Sequence, residues 1–186
     1  MTAARTRVTA PVAGRAIALL VMAVLGWKLA ARGLTLESSG LLSFIRLVDL
    51  VFHEAGHVIF GFFGSFIAAL GGSLMQVLIP ALCAVHFLRQ KQPASASAAV
   101  FWTGENIIGV AIYVADGRDM KLPLLAEGLT HDWNYLLSEL SLRDAADPLG
   151  RLVFMVGVLT LLAAMALLGW DLMRVWNTPA PEPAVE

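Results

Sequence analysis

Residues His53-Glu54-Ala55-Gly56-His57 form an HExxH pattern whose residue types suit one kind of chemistry. On a helix, two histidines four apart project to one face about one turn from each other, so both imidazoles can ligate a single Zn²⁺. Glu54 lies ~100° further round, where a carboxylate can act as general base on water at the metal's open position. Asp49, one turn before His53, is placed to accept that ring's second N–H and so select the tautomer with a lone pair for metal. A shuffled chain of this composition would contain HExxH in roughly three cases per thousand.

The element that must carry this pattern is apolar. Leu41 to Phe63 reads LLSFIRLVDLVFHEAGHVIFGFF, a run that suits a bilayer, where ionisable side chains are costly and functional by default. The whole chain agrees: 58% hydrophobic, 15% charged and a mean hydropathy of +0.74 describe a polytopic membrane protein. A net charge of −1 offers no basic surface to nucleic acid. Cys83 is the single cysteine, so no intramolecular disulfide forms and no thiol cluster competes for metal.

Five apolar runs, at about 11–31, 41–63, 66–88, 98–115 and 152–170, predict an all-α membrane helix bundle of about five transmembrane helices, since a bilayer admits helices or closed barrels and these runs exceed barrel strands. The first is read as an uncleaved span in preference to a signal peptide, because Arg15 and Lys28 can snorkel from its ends. Gly64-Ser65 turns the second run directly into the third, giving a tight helical hairpin. A polar loop occupies 116–151, residues 1–177 form one membrane-embedded domain, and the proline-rich 178–186 reads as a disordered tail.

HEAGH in the second hydrophobic segment of a small multi-span chain resembles the site-2 protease family of intramembrane zinc metalloproteases. The resemblance implies cleavage of peptide bonds at the membrane. It also implies a third ligand from an Asp-Gly motif near the next-but-one span, which is Asp116 in Ala115-Asp116-Gly117.

The alternation of spans gives a separate argument about that ligand. If spans alternate, His57 lies about 9 Å from the side on which the 116–151 loop emerges, so the HExxH pattern and the loop face each other. His131 and Asp132 in that loop, and Asp116 at its start, are the candidates, because imidazole and carboxylate both complete catalytic zinc sites. His131 is preferred, with Asp132 orienting it or serving as N-cap of a short interfacial helix from 133. His86, at the far end of the third span, is read as interfacial. Gln76, Glu105 and Asn106 fall near mid-membrane and read as interhelical hydrogen-bonding groups. The glycines Gly61, Gly64, Gly71 and Gly72 permit close helix packing, and the tryptophans fall near span ends as an aromatic belt expects.

These readings lead to a zinc metallopeptidase, with Zn²⁺ on His53, His57 and His131 (or Asp116 or Asp132) and Glu54 as general base. Its partners would be membrane lipid and a membrane-protein substrate. The alternative is a non-peptidase membrane protein that binds zinc structurally or transports it. Positive residues divide almost evenly between the two sides, and only the flanks of the first span favour a cytoplasmic N-terminus.

Overall fold

The structure, a computed structural model, describes residues 10–35, 40–122 and 130–178. Among them are six α-helices and no strand: α1 (Ala10–Ala31), α2 (Leu41–Phe60), α3 (Ser65–Arg89), α4 (Pro93–Asp116), α5 (Asp132–Glu139) and α6 (Ala146–Trp176). Single 3₁₀ turns at Gly61–Phe63 and Arg143–Ala145 lead into α3 and α6. The expected disordered tail, apart from Thr178, lies outside the described residues.

Local chemistry accounts for the boundaries. Pro93 opens α4 at its first position, where its missing N–H costs nothing and its φ suits a helix. Gly64, at φ 94° and ψ 167°, reverses the chain between α2 and α3 in a conformation that side chains rarely adopt. That reversal makes the predicted α2–α3 hairpin. α6 is longer than its apolar run because charged residues at both ends are neutralised locally. Arg151 bridges to Asp147 in the first turns, and the fully buried Asp171 is paired with Arg174 and with Arg15 of α1. α5 and the start of α6 both fall inside the stretch expected to be a polar loop.

In cross-section α6 packs on α1 and α4, and α3 packs on α4 and α2, so α4 is the central helix. It meets α6 almost backbone to backbone: a Cβ at Gly157 would lie 2.6 Å from Ile108 Cγ1 and 3.1 Å from the Gly104 carbonyl oxygen. Around this seam Met22, Leu29, Phe101, Ile108, Ile112, Leu161 and Leu168 form the buried core. Outward faces carry large apolar side chains in the open, among them Leu20, Leu47, Val51, Val58, Leu159 and Leu162. Such coverage belongs to lipid rather than water.

Four segments are long and apolar enough to cross a membrane: α1, α3, α4 and Arg143–Trp176, which contains α6. α2, expected as a fifth, falls short on composition. Every 18-residue stretch of it contains Arg46, Asp49 and Glu54. Of these, Asp49 is buried and Glu54 is exposed beside the histidines described next.

Candidate metal centre

The α2–α3 hairpin is closed by two glycines. A Cβ at Gly56 would run into the Gly71 carbonyl, and one at Gly71 would lie 2.7 Å from both the Gly56 oxygen and Phe60 Cβ. This close approach lays one stripe of α3, Ala68-Gly72-Gln76, against His53 and His57. His57 Nδ1 is 2.8 Å from the Ala68 carbonyl oxygen, and His53 Nδ1 is 2.7 Å from Gln76 Oε1. Both partners are acceptors, so each Nδ1 carries the proton and donates it. In the neutral ring the lone pair is then on Nε2, the arrangement that outer hydrogen bonds impose on metal-ligating histidines.

Both Nε2 atoms point at one carboxylate oxygen. Asp132 Oδ2 lies 3.1 Å from His53 Nε2 and 3.4 Å from His57 Nε2. The Asp132 carboxyl, although burial raises it, is held below the usual carboxylate range by His53 and His57, whose Nε2 atoms donate to it when the rings carry a second proton. Two imidazole lone pairs and a carboxylate oxygen repel one another unless a cation, proton or metal, stands among them. Ligands at ~2.05 Å from a tetrahedral zinc are ~3.3 Å apart, close to the two distances seen. Space is left for such an ion because α3 has no side chain there: a Cβ on Gly72 would sit 2.6 Å from His53 Nε2 and 2.7 Å from His57 Nε2. Among the described residues His53, His57 and Asp132 are the group of His, Cys, Asp or Glu able to hold a metal ion. No protein-family model, no curated protein and no solved structure matches this chain. The likeness to site-2 proteases therefore rests on HEAGH alone.

α5 delivers the third member of the group. Trp133 Nε1 donates to Ser73 Oγ at 2.9 Å, next to Gly72, and Asn134 Nδ2 donates to the Gly117 carbonyl at 2.7 Å. The helix is thus fastened to α3 and to the end of α4, with Asp132 at its inner end. His131, the third ligand preferred from sequence, is held out of the group because both ring nitrogens are engaged. Its Nδ1 accepts from Asn134 N at 3.2 Å as the N-cap of α5, so the proton is on Nε2, which donates to Asp116 Oδ2 at 3.1 Å. Asp116 in turn accepts from the backbone N–H groups of Lys121 and Leu122, and it shapes the loop after α4 instead of facing the histidines. The capping duty expected of Asp132 has passed to its neighbour.

Asp49 also departs from expectation. Its Oδ1 accepts from Trp102 Nε1 at 2.7 Å and Asn106 Nδ2 at 3.0 Å, a buried link between α2 and α4, and Gln76 takes the place at His53 that Asp49 was expected to fill. Glu54 is exposed beside the two histidines, and its charge acts on His57 and Tyr113. His86 packs its ring against Phe87, ten residues beyond Gln76 on α3 and so ~15 Å along the helix. Glu105 is buried next to Asp49, away from the metal group.

Sequence reasoning passed over Ala68 and Tyr113 and read Gly72 and Gln76 as packing residues. Ala68, Gly72 and Gln76 recur every four residues on α3, a stripe that the short hairpin link would have aligned with the histidines. An apolar replacement at Gln76 leaves the His53 ring free to turn and to carry its proton on either nitrogen. Gln76→Leu is expected to weaken zinc binding by ~10–100-fold, as loss of an outer partner does; zinc titration against a competing chelator measures it, and an unchanged affinity would show that Gln76 does not orient the ring.

Proposed function

We propose that this chain is a membrane-embedded zinc metallopeptidase that hydrolyses peptide bonds of membrane or membrane-proximal protein segments. The observation that carries the reading is the convergence of His53 Nε2, His57 Nε2 and Asp132 Oδ2 beside the gap left by Gly72, with Glu54 on the adjacent helical position. Three such side chains would hold a zinc ion, the ligand number of catalytic sites that keep a fourth position for water. When bound there, zinc supplies the Lewis acidity that lowers the pKa of water and polarises a carbonyl.

The chain's own groups do the rest. Ala68 and Gln76 hold the imidazoles in the tautomer with Nε2 free, and Asp132 contributes the negative charge that retains a divalent ion. Glu54 takes the proton of the attacking water and returns it to the leaving amine. The apolar helices and exposed apolar faces favour substrates already in or at the bilayer. We further propose a multi-pass arrangement in which α2 crosses the membrane with its charged residues turned toward α3 and α4, and a cytoplasmic N-terminus.

Glu54→Gln tests the mechanism. It keeps the side chain's size and leaves all three ligands in place, so about one zinc per chain should remain by elemental analysis, while cleavage of a detergent-solubilised single-span reporter protein should fall by at least ~100-fold, the usual worth of a general base. Cleavage equal to the parent's would remove Glu54 from the mechanism. A zinc-loaded parent that cleaves no membrane reporter would favour a structural or transport role for the ion.

A further inference from the structure

Tyr113 of α4 stands between the metal group and the His131–Asp116 pair. Its ring is 4.2 Å from that of His131 and 6.1 Å from that of His53, centroid to centroid. The backbone of Asp132 adjoins its hydroxyl, and the charges of Asp132, Glu54 and Asp116 all act on it. Asp116 lies three residues further along α4 on the same face and fixes His131, the surface on which the phenol stacks. The ring is thus held by neighbours on two sides and, among the described residues, no acceptor takes the hydroxyl's proton.

A proton donor held rigidly beside three ligands, with its own proton uncommitted, suits the place where negative charge grows on a carbonyl oxygen. We propose that Tyr113 is a catalytic residue of the peptidase, donating a hydrogen bond from its hydroxyl to the oxygen of the scissile carbonyl as that oxygen gains charge. The O–H bond stays intact throughout, and the proton that moves is the one Glu54 carries. This rests on the metallopeptidase reading. It adds a group that the HExxH pattern does not contain.

The test separates the two. The full chain is purified in detergent, zinc is exchanged for Co²⁺, and the visible cobalt bands report first metal binding and then titration with acetohydroxamate, whose anionic oxygen stands in for the charged carbonyl oxygen. Tyr113→Phe keeps the ring between His53 and His131 and removes only the hydroxyl. Its cobalt affinity should match the parent's, while acetohydroxamate should bind roughly ten- to a hundredfold more weakly, the worth of one hydrogen bond to a charged acceptor. Unchanged acetohydroxamate affinity overturns the proposal. So does a parallel loss of cobalt affinity, because the hydroxyl would then act through Asp132 as a positioning group. A parent chain that shows no cobalt bands overturns the metallopeptidase reading, and this proposal with it.

Discussion

Gly72→Ala is expected to abolish zinc binding in a protein that otherwise keeps its helices. The added Cβ would come within 2.6 and 2.7 Å of the two Nε2 atoms, inside the distance at which carbon and nitrogen repel. Those atoms are the tips of side chains, so the clash is relieved by turning the rings. Turning them, however, breaks the Nδ1 hydrogen bonds to Ala68 and Gln76 and scatters the lone pairs. Gly71→Ala is the matched control. There the new carbon meets the Gly56 carbonyl oxygen and Phe60 Cβ, which cannot swing away, so the hairpin itself is strained and the thermal midpoint in detergent falls. Elemental analysis and helical circular dichroism on both variants decide the matter. A Gly72→Ala protein with the parent's zinc content would mean that no ion occupies the space between His53 and His57.

Asp132→Ala and His131→Ala form the second pair, with opposite outcomes for adjacent residues. Removing Asp132 takes away the charged member of the group and leaves two neutral imidazoles. Zinc affinity should then drop by more than the ~10–100-fold that a lost outer partner costs, and the purified chain should lose its zinc on dialysis. Removing His131 deletes the N-cap of α5, worth ~1 kcal/mol, and takes one donor from Asp116, which keeps those of Lys121 and Leu122. α5 is still tied through Trp133 to Ser73 and through Asn134 to Gly117, so the His131→Ala chain should retain about one zinc with a lower thermal midpoint. Zinc lost from His131→Ala and kept by Asp132→Ala would reverse the assignment of the two residues.

These pairs mark where sequence reasoning stops. The rule that puts His53 and His57 on one helical face is local and operates before anything packs. Which of two neighbouring loop residues turns inward is not local. In α5 it was decided by the first N–H groups of the helix, which needed a cap. His131 Nδ1 met that need, which set its tautomer, aimed Nε2 at Asp116 and left Asp132 to face the histidines. The same holds for Asp49. Spacing allowed it to reach His53, yet Trp102 and Asn106 on α4 offered two donors to this buried carboxylate, and Gln76 offered His53 a neutral acceptor at 2.7 Å.

The sequence by itself determined that the chain is built of helices and that two histidines and a glutamate lie within about one turn on α2; it also offered five apolar runs as spans, of which four are long and apolar enough to cross a membrane. Each of these follows from the length and period of runs along the chain. Only the tertiary structure decided that Ala68, Gly72 and Gln76 meet those histidines and that Asp132 rather than His131 joins them. It also placed the Tyr113 ring beside those of His53 and His131. Those choices depend on how closely two backbones approach at Gly56 and Gly71 and on which acceptor each polar group finds, and neither is a property of any single helix.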